Sequence, residues 1–305
     1  MINDVNCKRV FAPQFVESWQ AVLCEVFNWE RKDNFCLVPS LFSLKKTASL
    51  LPLLSYTNLK KTDAQKCESR ILEEGIEDYR IRFLGDNHDF NLKNKIPVVM
   101  RLNIDGKSSE DIWANSMTSY CRNRARKGLK QNYILEKGFS EKLVSDAYLV
   151  FQNIMHRLGT PVLPKSLFCA LAKEKIAEFY VAYKNNKPVA MLVVVVNNKI
   201  TWVPWCGAIE EEMPACVNYV THWQALQDAL DRKDSIFDFG RSEYEGGTYR
   251  FKKKWGALPV PVAEISNVDS NIYQRYKVMS LIWRRLPCFL VNRLGPEVCR
   301  YIPNL

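Results

Sequence analysis

Three apolar segments in the second half of the chain, separated by asparagine-containing turns, constrain the fold most. They cover residues 178–182, 188–196 and 199–204, and asparagine pairs stand at 185–186 and 197–198. Asparagine tolerates the positive φ angles that short β-hairpin turns require, so the pattern predicts a meander of antiparallel strands.

Helical periodicity flanks this meander on both sides. Apolar residues recur at spacings of three and four, which gives each flanking segment one apolar face and predicts a helix. The residues are Leu143, Ala147, Val150 and Ile154 before the meander, and Tyr219, Trp223, Leu226 and Leu230 after it.

The segment 237–256, FDFGRSEYEGGTYRFKKKWG, concentrates charge and glycine after the second helix. Residues 237–239 alternate like a short strand, and Gly240 allows a sharp bend. Gly246 and Gly247 can both take positive φ, which would let backbone amides converge on an anion.

After the glycines we expect the chain to resume in an extended conformation. Tyr249 and Phe251 would then face one side of the strand, while Arg250 and Lys252 face the other. The segment therefore predicts a cationic site for an anionic substrate. A solvated basic turn that follows an ordinary hairpin is the alternative.

This segment resembles the C-terminal signature of the Fem-type peptidoglycan-bridge aminoacyltransferases. It is closer still to FemAB-like proteins found with exopolysaccharide and exosortase (PEP-CTERM) systems, which carry a DFGRS…GTYRFKKxWG run. Residues 156–164 (HRLGTPVLP) resemble the LGTP element of that subgroup, and residues 203–205 its VPW strand. Residues 121–130 (CRNRARKGLK) resemble the helix that closes the first domain of Fem proteins.

The resemblance implies an α/β (α+β) fold of two tandem GNAT-like acyltransferase domains with mixed sheets. Residues 1–135 would form a degenerate N-terminal domain on the acceptor side, and residues 136–270 a C-terminal domain with the catalytic signature. Residues 271–305 would form an amphipathic helical tail. A break in the pattern near residues 131–141 agrees with this division.

The resemblance also implies an N-acyltransferase. It would form an amide bond between an aminoacyl or acyl donor and an amine on a nucleotide- or lipid-linked saccharide of the cell envelope or an exopolysaccharide. Aminoacyl-tRNA is the donor of true Fem enzymes, whereas acyl-CoA acting on an amino sugar stays open. No further cofactor is implied. The Q/RxxGxG/A loop that holds acyl-CoA in GNAT enzymes is not recognisable in the sequence.

Three residues of the signature are the candidate catalytic residues. Lys252 matches the FK pair of the Fem motif, where a fixed ammonium would stabilise the oxyanion formed when an amine attacks a carbonyl. Arg241 could bind a phosphate or carboxylate through two parallel hydrogen bonds. Asp238 could accept a proton from the amine or hold Arg241. A surface lysine in a run of three is the alternative for Lys252.

Further residues are candidates for substrate binding. Aromatic side chains could line the substrate channel or simply pack. Arg122, Arg126 and Lys130 would share one helical face that borders the acceptor cleft, or a solvated face. His156 is a candidate as well, although its place at the end of a predicted helix favours a cap or core role. The aromatic candidates are Tyr244, Tyr249, Phe251 and Trp205.

Composition limits the partners and the compartment. The net charge of +10 favours anionic partners, so a non-catalytic module that binds nucleic acid or a membrane surface is a rival. Ten cysteines without a CxxC pair indicate reduced thiols, and three scattered histidines predict no metal site.

We also expect a cytoplasmic protein. The N-terminus lacks the pattern of a secretory signal, and the longest apolar run, 189–196, is too short to span a bilayer. The tail could dock onto the body of the protein. Alternatively, its mixture of apolar and basic residues could contact the inner membrane peripherally.

Overall fold

The computed structural model describes residues 11–32, 35–39, 46–50, 52–53, 61–85, 97–268 and 280–302. Within them lie twelve strands, several α-helices, a π-helical turn at Ile112–Ser116 and a 3-10 turn at Glu210–Glu212. The strands are β1 (Glu30–Lys32), β2 (Phe35–Pro39), β3 (Lys46–Ser49), β4 (Asp78–Leu84), β5 (Pro97–Asn103), β6 (Ile134–Gly138), β7 (Ala177–Lys184), β8 (Lys187–Asn197), β9 (Ile200–Trp202), β10 (Cys206–Ala208), β11 (Ile236–Glu243) and β12 (Leu258–Ser266). The helices are α1 (Pro13–Phe27), α2 (Lys61–Glu73), α3 (Ser109–Asp111), α4 (Ser119–Leu129), α5 (Glu141–Leu158), α6 (Lys165–Lys173), α7 (Val217–Asp231), α8 (Gly247–Lys253) and α9 (Cys288–Cys299).

All the described strands belong to one mixed sheet, in the order β1-β2-β3-β4-β12-β5-β11-β9-β8-β7-β6, with β10 paired to β8. Strand β12 lies between β4 and β5, antiparallel to both, although it follows them by more than 150 residues. Strand β5 is in turn antiparallel to β11. The predicted α/β (α+β) fold class is confirmed, and the division at residues 135 and 270 stays a prediction because the sheet is continuous.

The predicted meander is confirmed by antiparallel pairing of β7 with β8 and of β8 with β9. The turn between β7 and β8 has Asn185 at φ 51° and Asn186 at φ 60°. Two consecutive positive φ angles are typical of a type I′ hairpin turn, whose twist matches that of the strands it joins. The asparagines therefore fix the register of the central hairpin.

Helices cover both faces of the sheet around β8. Met191, Val193 and Val195 pack with side chains of α1, α5 and α6 on one face. Leu192 and Val194 pack with side chains of α4, α7 and α8 on the other face. Burial on both faces explains why β8 is a continuous apolar run rather than an alternating one. The two predicted helices are α5 and α7, and both are confirmed.

A second, smaller layer covers the N-terminal strands. Helix α2 packs its Ala64 and Ile71 against apolar side chains of β2, β3 and β4. Beyond the sheet, α9 follows a described turn of helix at residues 280–283, so the predicted helical tail is present from residue 280 onward. Residues 271–279 and 303–305 of that prediction lie outside the described residues. No helix in the described part of the chain is long and apolar enough to cross a bilayer.

Candidate active site

Strand β11 carries the charged motif and contains a bulge. The strand is antiparallel to β5 and parallel to β9, and its register to β5 shifts between Asp238 and Arg241. Gly240 lies in the bulge at φ 76°. A Cβ atom there would lie 2.9 Å from the main-chain oxygen of Val203, so both the backbone angle and the available space require glycine. In place of the predicted sharp bend, Gly240 forms a bulge within β11, which continues to Glu243.

The glycine pair after β11 does not form the predicted anion nest. Gly246 has φ −71° and is the N-cap of α8. Gly247 is not among the residues with positive φ, and the left-handed position of this turn belongs to Glu245 at φ 60°. The amide of Gly246 donates to the main-chain oxygen of Glu243 at 2.9 Å, so it serves the turn itself.

The prediction of an extended strand over residues 249–252 is wrong, because these residues lie in α8. Helical spacing turns Tyr249 and Lys252 toward the same buried side, whereas Arg250 and Lys253 are exposed. Aromatic and basic residues alternate along this segment, which fits a strand, but Tyr249 and Lys252 are also three residues apart, which fits one face of a helix. Packing of α8 against β11 and β5 selects the helix.

The ammonium group of Lys252 is buried against the bulge of β11. Only 7% of Lys252 is exposed. Its Nζ donates to the main-chain oxygens of Gly240 at 3.1 Å and of Arg241 at 2.8 Å. Burial lowers the pKa of Lys252 to about 8, although the neighbouring Cys206 and Asp238 oppose the shift. Lys252 is therefore mostly an ammonium ion at neutral pH, in a buried position.

Asp238 is fully buried and stabilises the bulge through two hydrogen bonds. Its Oδ2 accepts a hydrogen bond from Nε of Arg101 at 3.0 Å, and its Oδ1 accepts one from the amide of Gly240 at 2.8 Å. Arg101 stands opposite Asp238 on β5 and is itself only 1% exposed. Both carboxylate oxygens are thus engaged in holding structure, which favours an orienting role for Asp238 over proton transfer.

Arg101 is the residue of this network that sequence reasoning missed. It is the only charged residue in β5, the strand PVVMRLN, where the other interior residues are apolar. A single arginine in a buried strand is the signal, since a buried charge needs a partner. The partner could not be named from sequence because Asp238 lies 137 positions away.

Aromatic side chains close the site on the side of α7. His222 stacks on Phe239 with ring centroids 5.9 Å apart and meets the ring of Phe251 edge-on at 5.2 Å. Burial lowers the pKa of His222 to about 4, so the ring is neutral at physiological pH. Its Nδ1 lies 2.7 Å from the main-chain oxygen of Asn218. Because that oxygen can only accept, Nδ1 carries the proton of the neutral ring and donates to it. This cluster keeps water from one side of Lys252.

The structure brings six of the predicted site residues together on β11, the following turn and α8. They are Asp238, Arg241, Tyr244, Tyr249, Phe251 and Lys252. The rings of Tyr244 and Tyr249 lie 5.0 Å apart. Arg241 is exposed beside the buried ammonium, and substrate binding by Arg241 stays a prediction.

Arg122 and Arg126 lie on α4, whose N-terminus adjoins the end of α8 through a hydrogen bond from the amide of Thr118 to Lys254 O at 2.9 Å. Arg122 donates to three main-chain oxygens at the π-helical turn, those of Trp113, Ala114 and Met117. The guanidinium of Arg126 lies over the ring of Trp113 at 5.4 Å. Their contacts support the turn before α4, and substrate binding by either stays a prediction.

Trp205 and His156, the other two predicted site residues, do not lie with the motif on β11 and α8. Trp205 stacks on Phe168 at 5.3 Å, within the apolar cluster on the face of the sheet opposite to that of Phe251 and Tyr249. His156 is in the last turn of α5, and its Nε2 lies 3.0 Å from the main-chain oxygen of Leu286. His156 therefore contacts the C-terminal segment rather than the motif. Within the residues that the structure describes, no three His, Cys, Asp or Glu side chains form a group that could hold a metal ion.

Comparison with known proteins agrees with this architecture. Residues 152–253, from α5 to the last residue of α8, match the family described as Acetyltransferase (GNAT) domain. The chain has a GNAT-type fold. Its sequence matches no curated protein.

Among solved structures, FemX superimposes with a TM-score of 0.61 at 11% identity, covering 88% of this chain and 97% of FemX. L-PGS from Bacillus licheniformis gives 0.54 at 12% identity, covering 93% of this chain and 100% of that one. The C-terminal domain of a protein described as a lysylphosphatidylglycerol synthetase from Agrobacterium fabrum gives 0.58 at 10% identity, with 88% and 96% covered. The resemblance to FemAB-like proteins is confirmed at the level of this GNAT-type fold, and the likeness to the exopolysaccharide-associated subgroup stays a prediction.

Proposed function

We propose that the protein is an N-acyltransferase of FemAB-like type. It joins an activated aminoacyl or acyl group to an amine on a saccharide precursor of the cell envelope or an exopolysaccharide. The GNAT-type fold and the match that ends at the catalytic helix α8 support an acyltransferase. The acceptor class is inferred from the resemblance of the motif to that of the Fem proteins.

The observation that carries the proposal is the buried ammonium of Lys252. An ammonium ion has three N–H groups, and the oxygens of Gly240 and Arg241 accept two of them. The third can donate to the carbonyl oxygen of an acyl donor. When the acceptor amine attacks, that oxygen becomes an anion, and a charged donor in a site with little water stabilises it strongly.

The reaction then balances without a further cofactor. The amine nitrogen forms a bond to the carbonyl carbon, and the C–O or C–S bond to the leaving group breaks. The amine loses one proton overall, and the leaving group gains one. Arg101 and Asp238 act as positioning residues, because they fix the bulge that presents the Gly240 and Arg241 oxygens to Lys252.

The donor is an anion in both versions of the proposal, whether aminoacyl-tRNA or acyl-CoA. Arg241, Arg250 and Lys253 are exposed around the buried ammonium and can bind phosphate groups of either donor. The GNAT family match favours acyl-CoA, whereas the motif resembles that of enzymes that use aminoacyl-tRNA. We keep both donors as candidates.

Incubation of the protein with labelled donor and an extract of envelope precursors tests the proposal. One tube contains labelled aminoacyl-tRNA and another labelled acyl-CoA. Consumption of one donor, with transfer of label to a saccharide amine, is the expected result. A non-catalytic basic module would consume neither. It would instead show salt-sensitive binding whose loss is spread evenly over many Lys and Arg substitutions.

A further inference from the structure

The segment 280–302 carries an unusual density of exposed apolar side chains. Phe289 is 70% exposed, Leu281 59%, Ile282 57% and Leu294 46%. Leu158, the last residue of α5, is also exposed and adjoins this segment, because Arg284 donates to its main-chain oxygen at 3.0 Å. Exposed apolar side chains gathered in one place usually mark a contact surface.

The same segment is firmly docked to the body through its other side. Trp283, Val291 and Cys299 are buried. Nε1 of Trp29 donates to the main-chain oxygen of Arg300 at 2.8 Å. A Cβ on Gly295 would lie 2.7 Å from the main-chain nitrogen of Val162, so α9 packs closely against the loop that follows α5. The exposed apolar residues thus lie on the outer side of a segment that is packed against the body.

An ordinary surface helix that buries one apolar face presents polar residues on the other. Helix α9 does not follow this rule. Phe289 and Leu294 remain exposed on it, together with Arg293. The segment as a whole contains four arginines, Arg284, Arg285, Arg293 and Arg300, and a single acidic residue, Glu297.

We propose that residues 280–302 together with Leu158, here called the C-terminal patch, dock the protein onto the surface of a membrane that contains anionic phospholipids. Apolar side chains would enter the boundary between headgroups and acyl chains, while arginines bind lipid phosphates. The proposal does not depend on the reaction proposed above.

The positive charge of the C-terminal patch favours an anionic membrane surface, rather than a second copy of the chain, as its partner. A symmetric dimer through the patch would bring Arg284, Arg285 and Arg293 of two copies toward one another. A surface of anionic headgroups instead neutralises all of them and accepts the apolar side chains as well. Contact of this kind needs no helix that spans the bilayer.

Sedimentation of the full-length protein with lipid vesicles tests the proposal. One set of vesicles is pure phosphatidylcholine, and the other contains about one third phosphatidylglycerol. We expect the protein to sediment with the anionic vesicles alone, and to be released in part when salt rises to about 0.5 M. Absence of binding to the anionic vesicles would overturn the proposal.

Two pairs of variants locate the binding surface. Arg285→Glu/Arg293→Glu should weaken binding at least about 25-fold, since each positive charge near an anionic surface contributes about fivefold. Its control is Lys173→Glu/Lys187→Glu, which changes the net charge equally at exposed sites elsewhere. Leu281→Ser/Phe289→Ser should weaken binding at least about tenfold. Its control is Leu72→Ser/Leu149→Ser, which removes two other exposed leucines.

Circular dichroism confirms that each variant is folded, and sedimentation velocity without vesicles reports its oligomeric state. The proposal is supported if only the patch variants lose vesicle binding. Equal losses in patch and control variants contradict it, because binding would then follow net charge alone. A wild-type dimer that the patch variants abolish, without vesicle binding, also contradicts it and assigns the patch to a second copy.

Discussion

The ammonium nitrogen of Lys252 lies 2.8 Å from the main-chain oxygen of Arg241, inside the bulge of β11. A second oxygen, that of Gly240, accepts from the same ammonium at 3.1 Å. Two residues of one short motif are thereby joined, one on a strand and one on the helix that follows it. The contact fixes the position of a buried positive charge, and the predictions below follow from that charge.

Activity should decline as the pH rises through about 8. Burial lowers the pKa of Lys252 to about 8, so above this pH the group becomes neutral and loses the charge that stabilises an oxyanion. The rate of acyl transfer under saturating donor, measured from pH 6 to pH 10, should show this alkaline limb.

The Lys252→Arg variant is the control for the alkaline limb. Guanidinium stays protonated throughout this range, so whatever activity the variant retains should lack the limb near pH 8. An identical alkaline limb in the variant would assign the titration to another group.

The stability of the wild-type protein should rise relative to Lys252→Met between about pH 8 and pH 10. In this window the unfolded chain binds a proton on the lysine that the folded protein does not bind, so the free energy of unfolding increases with pH. The expected gain is about 1.4 kcal/mol for each pH unit. Urea unfolding of both proteins at several pH values measures it, and a difference that does not change with pH would contradict the burial of the ammonium.

Arg101→Met should lower the free energy of unfolding by about 3–5 kcal/mol, because it leaves the Asp238 carboxylate buried without its cation. The double variant Arg101→Met/Asp238→Asn should recover part of this loss, since the amide carries no charge. Urea unfolding measures both.

If Arg101 only stabilised the fold, its replacement would leave the pKa of Lys252, and so the pH of the alkaline limb, unchanged. If Arg101 positions the bulge, the alkaline limb should shift in Arg101→Lys, a variant that keeps the charge but not the geometry of guanidinium. An unchanged pH profile in a folded Arg101→Lys variant would remove the positioning role.

Gly240→Ala should reduce both stability and activity. Alanine at φ 76° costs about 1–2 kcal/mol, and the new Cβ would lie 2.9 Å from the backbone of Val203. The bulge must shift, and the oxygens that hold Lys252 shift with it. Gly106→Ala is the matched control, because its φ is 66° but no atom lies within 4 Å of the new Cβ.

Thermal unfolding and the rate of acyl transfer compare these two glycine variants. We expect the control to lose stability through its backbone angle alone and to keep its activity. Equal losses of activity in both variants would show that the bulge does not position the ammonium.

Local chemistry made part of the fold predictable. The asparagine turn between β7 and β8 and the apolar faces of α5 and α7 are encoded within a few residues of one another, and sequence reasoning found them. The strand around residues 237–239 and a special backbone conformation at Gly240 were predictable for the same reason. The motif was also sufficient to name Lys252 as the candidate for a positive charge in the site.

Long-range packing decided the rest. Residues 249–252 alternate at a period of two, yet burial of Tyr249 and Lys252 on the same side selects a helix. The pair of Arg101 and Asp238 forms only because β5 and β11 are neighbours in the sheet. No local pattern brings together residues 137 positions apart, and none shows that Trp205 lies on the opposite face from Phe251.

The most direct test of the central claim is the rate of amide formation by Lys252→Met. The assay supplies envelope-precursor extract and whichever labelled donor the wild-type protein consumes. Methionine is close to lysine in volume, and it removes the buried charge together with the hydrogen bonds to Gly240 and Arg241, so circular dichroism first checks that the variant is folded. We expect a loss of about 10²- to 10³-fold for Lys252→Met and nearly unchanged activity for Lys187→Met, an exposed lysine at the start of β8 and outside the motif. A folded Lys252→Met variant that forms amide at the wild-type rate would contradict the account.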